Sequence, residues 1–152
     1  MNEIKINRES LAWAAGFFDG EGSVSFTGDR LNRYPLITIQ QNDPEVLYRF
    51  RDAVAFLGVV HGPYSRRDGG NPFYNYQVSS FEKVQAVIAM LWPFLSVIKK
   101  SQAHNILSYI REQQEQKYSC HFPECVEMFR RHKGPGRPHR YCPAHRQKGH
   151  SE

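Results

Sequence analysis

The sequence predicts an α+β protein with one antiparallel sheet, in the order αββαββα, followed by a small metal-binding module. Three observations point there. Helical and strand-like hydrophobic periods alternate through the first 117 residues, and the second half of that stretch echoes the first. Composition changes near residue 118: from Tyr118 to Glu152, seven Lys or Arg face three acids, which places +4 of the chain's net +5 in the tail. The tail also holds all three cysteines and five of the seven histidines. Residues 1–117 and 118–152 are therefore expected to be separate modules. An appendage shorter than about 40 residues usually needs a metal or disulfides to fold.

The elements follow in order. Ser10 suits the N-cap of a first helix through Leu11, Ala14, Phe17 and Phe18, with Gly20 at its end. Ser23–Thr27 and Leu36–Gln40 alternate as strands. Asp43 caps a second helix with Pro44 at its first position, and Leu47, Phe50, Val54 and Leu57 recur at helical spacing up to Gly58. A second strand pair, near Val59–Arg66 and Phe73–Ser79, brackets the turn Asp68-Gly69-Gly70-Asn71-Pro72. Ser79 with Glu82 forms a capping box for a third helix to about Leu91, and a last helix covers roughly Lys100–Gln116.

The totals bound the setting. Three cysteines clustered beside histidines read as metal ligands in a reducing compartment. The N-terminus lacks a signal-peptide pattern, and the longest apolar run, Ala86–Ile98, contains Pro93 and is too short for a bilayer. A soluble intracellular protein with no membrane partner is expected. The sequence pI of about 9.2 favours a polyanionic partner.

The first helix carries the sharpest signal. Gly16 and Gly20 share one face with Ala12 and Ala15 near it, which lets a second helix backbone come close. Glycine inside a helix costs about 1 kcal/mol against alanine, so two of them ask for a reason. Asp19 and Glu21 then sit at the helix C-terminus, where carboxylates oppose the dipole and often bind a metal. The plain alternative is an amphipathic helix with a glycine cap and two solvated acids.

The stretch Ala14-Ala15-Gly16-Phe17-Phe18-Asp19-Gly20-Glu21-Gly22 resembles the LAGLIDADG motif, and only Ala14, at the leading Leu, departs from the common pattern. The flanks and the element order extend the resemblance over Ser10–Gln116. It implies a site-specific double-strand DNA endonuclease of the homing type. Because one motif is present, it also implies a homodimer packed through this helix, with Ala12, Ala15, Gly16, Asp19 and Gly20 at the interface. Glu21 and Gly20 would hold catalytic Mg²⁺ for phosphodiester hydrolysis. Asp19 fits a structural acid that bonds the partner helix end, Gln41 the polar residue that positions water, and Lys99 (or Lys100, one step away) the base that steadies the scissile phosphate. The alternative within the family is a non-cleaving relative, an RNA-splicing maturase or DNA-binding regulator; Glu21 weighs against it. A third reading keeps only a zinc-dependent nucleic-acid binder, with no dimer.

The resemblance also implies a sheet that lies over the DNA major groove. Ser25, Thr27, Arg30, Thr38, Gln40, Arg66, Arg67, Tyr74, Tyr76 and Gln77 are the candidate DNA contacts, with Val24, Phe26, Ile37, Ile39 and Val78 packed under the helices. An ordinary half-solvated sheet would show the same alternation.

In the tail, Cys120, Cys125, Cys142 and His145 have the spacing C-x4-C-x16-C-x2-H, two close pairs separated by a loop, as four-coordinate zinc requires. His121, His132 and His139 compete for the fourth place. Five apolar residues are too few for a core, and structural zinc can supply about 10–16 kcal/mol. A disordered basic tail with free thiols is the alternative. Arg130, Arg131, Arg137 and Arg140, in the basic Gly/Pro-rich loop, are candidate DNA contacts.

Overall fold

The computed structural model describes residues 6–28, 33–115, 117–130 and 139–146. They fall into two compact units, Met1–Leu107 and Ser108–Glu152. The division lies inside the last helix, ahead of the boundary expected after Lys117. Arg30, Arg131, His132 and Arg137 lie outside the described residues.

The first unit runs α1 (Arg8–Glu21), β1 (Gly22–Gly28), β2 (Arg33–Gln41), α2 (Pro44–Ala53), β3 (Val59–Tyr64), β4 (Phe73–Val78), α3 (Phe81–Leu91), a 3₁₀ turn (Trp92–Phe94) and α4 (from Val97). The sheet order is β1-β2-β4-β3, antiparallel throughout. α1, α2 and α3 pack on one of its faces. On that side Ile37, Ile39, Tyr76 and Val78 are buried with Phe18, Leu47, Phe50, Val84 and Leu91. Each such side chain contributes roughly 1.5–3 kcal/mol by leaving water. The Phe50 ring lies 6.0 Å from Phe18 and 5.0 Å from Tyr76, which joins α1, α2 and β4 in one aromatic core.

Among the boundaries that differ from the sequence reading, four in α1, α2 and α3 have a local reason. α1 starts three residues early because Asn7, not Ser10, caps it, accepting from Glu9 N at 2.9 Å. It runs through Gly20 to Glu21 and ends at Gly22, where an added Cβ would stand 2.0 Å from the Phe18 ring. α2 stops at Ala53 rather than near Gly58, since Ala55 and Phe56 take left-handed conformations (φ 56° and 60°). α3 is capped by Ser80, not Ser79, with Lys83 N donating to Ser80 Oγ at 3.2 Å. Asp43 caps α2 as expected.

The second unit is small. β5 (Lys117–Ser119) pairs antiparallel with β6 (Met128–Arg130), and a 3₁₀ turn covers Pro143–His145. Its buried centre is Cys120, Phe129 and Cys142, with Tyr118, Phe122, Cys125 and Tyr141 packed around them. Among the described residues, no helix is long and apolar enough to cross a membrane.

Candidate active site, nucleic-acid interface and metal centre

Glu21, Gln41 and Lys99 are far apart in sequence and meet at the C-terminal end of α1. Glu21 is exposed, and Gln41 Nε2 at the end of β2 donates to its Oε2 at 3.0 Å. Lys99 Nζ donates to the carbonyl of Gly22, the residue after Glu21, and lies 5.4 Å from the centre of the Phe18 ring. A cation at a helix C-terminus is favourable, so Lys99 offsets the dipole that Glu21 opposes.

Ser96 places Lys99. α4 begins at Val97, not Lys100, and Ser96 precedes it. Asp19 accepts from Ser96 N at 2.9 Å and from Ser96 Oγ at 2.9 Å, while Lys99 N donates to Ser96 Oγ at 3.3 Å. The acid that α1 tolerates poorly at its own end therefore sits at the positive end of α4. Within the protomer, Asp19 thus bonds the start of α4 of its own chain. The signal was present: Ser96 stands three residues before Lys99, the spacing of an N-cap.

The small residues of α1 divide between two faces. Ala12, Gly16 and Gly20 are exposed, and an added Cβ at Gly16 or Gly20 would meet no atom within 4 Å. Ala15 is fully buried in its own protomer, because it turns with Ala14 and Phe18 toward the core; it does not belong to the exposed stripe.

The sheet's second face follows from the register. Ser23 stands opposite Thr38, Ser25 opposite Leu36, Thr38 opposite Gln77, and Gln40 opposite Asn75, which in turn faces His61. Ser25, Thr27, Thr38, Gln40 and Gln77 thus share one face, rich in neutral hydrogen-bonding groups. Tyr74 and Tyr76 are on the other one, opposite Gln41 and Ile39. Tyr76 is completely buried and its hydroxyl donates to the Leu57 carbonyl at 2.8 Å, so it is removed from the DNA-facing set. Burial raises its phenol above the usual tyrosine range, against a smaller downward pull from Arg51. Strict alternation from Gln77 selects Asn75 and Phe73 instead of the two tyrosines. Arg66 and Arg67 are exposed beyond β3, and Arg66 bonds the Asn71 carbonyl and Asn42 Oδ1 at 3.2 and 3.3 Å.

In the second unit the ligand atoms of Cys120, Cys125, Cys142 and His145 all lie within 4.8 Å of one another. His145 Nδ1 is 3.3 Å from Cys142 Sγ and 3.6 Å from Cys120 Sγ. Phe122 stacks on the His145 ring at 4.2 Å and fixes its plane. Neither His121 nor His139 joins the group. Burial raises both the Cys120 and Cys142 thiols. At Cys120, N–H donors from Cys142 and Phe122, with His145, outweigh burial and bring it to about 6. At Cys142 burial prevails, helped by the side chain of Glu127, and the thiol is pushed up to about 12. Three sulfurs and one imidazole are a soft set of four donors, which fits zinc. The exposed Glu21 carboxylate and the Gly20 carbonyl are hard oxygen donors, which fit Mg²⁺.

A family model described as a LAGLIDADG-like domain matches residues 8–111. Similar solved structures include the group I intron-encoded homing endonuclease I-CeuI complexed with DNA, at 19% identity and TM-score 0.57, covering 72% of this chain and 57% of that one. The homing endonuclease I-CvuI, in complex with its target in the presence of calcium, matches at 22% identity and TM-score 0.55, over 70% of each chain. I-GzeII, in complex with its DNA target, matches at 18% identity and TM-score 0.56, over 74% of this chain and 39% of that one. The match therefore spans little more than half of I-CeuI and less than half of I-GzeII. No curated protein gives a match.

Proposed function

The chain belongs to the LAGLIDADG family, and on that premise we propose that it is a site-specific double-strand DNA endonuclease acting as a homodimer. The observation that carries the reading is the meeting of Glu21, Gln41 and Lys99 at the end of α1. A carboxylate, an amide and an ammonium are the groups that metal-assisted phosphodiester hydrolysis uses. Bound Mg²⁺ would supply Lewis acidity and a more acidic water. Glu21, with the Gly20 carbonyl, would hold that ion. Gln41 fixes the Glu21 carboxylate through its amide and offers its remaining hydrogen-bonding capacity to water. Lys99 places positive charge beside the scissile phosphate.

One carboxylate and one carbonyl are a thin ligand set for Mg²⁺, which usually takes carboxylates together with phosphate oxygens and water. The exposed Ala12, Gly16 and Gly20 support a dimer that completes it. Two such helices crossing closely would bring two Glu21 residues together, and the cation would relieve their repulsion. The uncharged face of Ser25, Thr27, Thr38, Gln40, Asn75 and Gln77 supports reading of base edges in the major groove. Cys120, Cys125, Cys142 and His145 are read as a structural zinc site that replaces a hydrophobic core in the second unit.

The test is cleavage from a randomised duplex library with Mg²⁺, comparing wild type with Glu21→Gln. Wild type should cut a recoverable, near-symmetric site, and the variant should bind that site without cutting. Binding by wild type without cleavage would mark a non-cleaving relative, and normal cleavage by Glu21→Gln would remove Glu21 from the chemistry.

A further inference from the structure

The β5–β6 hairpin sets two like charges against each other, and among the described residues no ion pair offsets them. The register sets Lys117 directly opposite Arg130, Tyr118 opposite Phe129 and Ser119 opposite Met128. Phe129 is buried and Tyr118 half-buried against the Cys120–Cys142 centre, so alternation turns Lys117, Ser119, Met128 and Arg130 outward, and all four are exposed. Like charges directly across an antiparallel pair destabilise it, and a two-stranded hairpin is only marginally stable to begin with. Among the described residues the salt bridges are Arg51–Asp52 and Arg111–Glu115, and neither includes Lys117 or Arg130. An anion lying across both strands turns this repulsion into two attractions. The planar Arg130 fork suits a phosphate, and Lys117 adds a compact point charge.

We propose that Lys117 and Arg130 form a cross-strand phosphate clamp through which the metal-binding unit grips the DNA backbone, independent of base sequence. The proposal rests on the DNA-directed reading given above and extends it to the β5–β6 hairpin, which lies beyond the family match at residues 8–111. The clamp adds affinity and register without reading bases, because phosphate contacts position a protein and base contacts specify the site. The cysteine-histidine centre holds the hairpin from behind through Tyr118 and Phe129.

The experiment uses the full chain, loaded with zinc, and one fixed non-cognate DNA duplex titrated across a range of salt. Wild type is compared with Lys117→Gln/Arg130→Gln and with the charge-preserving Lys117→Arg/Arg130→Lys. The neutral double variant should flatten the log–log salt slope by about 0.9, for one phosphate no longer neutralised, while the charge-preserving variant keeps the wild-type slope. Without DNA, the neutral variant should keep its zinc and melt no lower than wild type, because a repulsion has been removed. That readout separates a clamp from a structural role. An unchanged slope in the neutral variant overturns the clamp and leaves the nuclease reading standing. Wild type that shows no salt-dependent affinity for duplex DNA overturns both, and tighter binding to a duplex RNA of equal length overturns the DNA assignment of the clamp.

Discussion

Replacing Gly16 with leucine separates the stability of the protomer from the formation of the proposed dimer. Gly16 is exposed in the interior of α1, and a Cβ there meets no atom of its own chain within 4 Å. The larger side chain therefore displaces nothing in the protomer. Helix propensity then favours Gly16→Leu by about 1 kcal/mol. For a domain near this size, that corresponds to a rise of roughly 4–8 °C in melting temperature. In the dimer the sign reverses, because two leucines on the crossing faces would hold the helix backbones apart. Sedimentation should show wild type as a dimer and Gly16→Leu as a monomer. Thermal unfolding, at a dilution where both are monomeric, should place the variant above wild type, and target cleavage should be lost with the dimer. A variant that dimerises as well as wild type, or a wild type that is monomeric at working concentration, would refute the reasoning. A monomeric variant melting lower would show instead that Gly16 packs in its own chain.

Three further outcomes follow from the contacts. Tyr76→Phe strands the Leu57 carbonyl without its donor and should cost about 1–3 kcal/mol in urea unfolding, leaving DNA affinity unchanged; weaker DNA binding at full stability would return Tyr76 to the DNA-facing set. Ser96→Ala removes the cap of α4 and one donor to Asp19. It should cost about 1 kcal/mol and depress cleavage more than binding, with Ser96→Thr restoring both; an equal loss of binding would deny Ser96 a role in placing Lys99. Removing metal with a chelator should unfold the second unit, as amide signals of residues 117–146 would report, while the first unit stays folded. Zinc affinity should rise with pH, since the Cys142 thiol is protonated near neutrality at about 12 and must lose that proton on binding. A second unit indifferent to the chelator would remove the structural role of zinc.

Local chemistry made the helix and strand order legible, since hydrophobic period, the Asp43-Pro44 start and the Asp68-Gly69-Gly70 turn act over a few residues. Boundaries were harder because neighbouring residues of similar capping chemistry compete. Asn7 prevailed over Ser10 and Ser80 over Ser79, and nothing in the two alternatives themselves decides between them. The tyrosines differ for another reason: a period of two puts Tyr74 and Tyr76 on the face opposite to Gln77, so the three cannot share one DNA-facing surface.

By itself, the sequence determined the family motif, the antiparallel αββαββα order, the carboxylate at residue 21 and the Cys/His spacing, because each is carried by residues close together in the chain. Tertiary structure alone decided that Ser96 ties Asp19 to Lys99, that Ala15 faces inward, that Tyr76 is sealed in the core, and that His145 rather than His121 or His139 joins the cysteines. Those are contacts between residues distant in sequence or choices between faces of one element. Their outcome depends on how helices and strands pack, a quantity that no local pattern encodes.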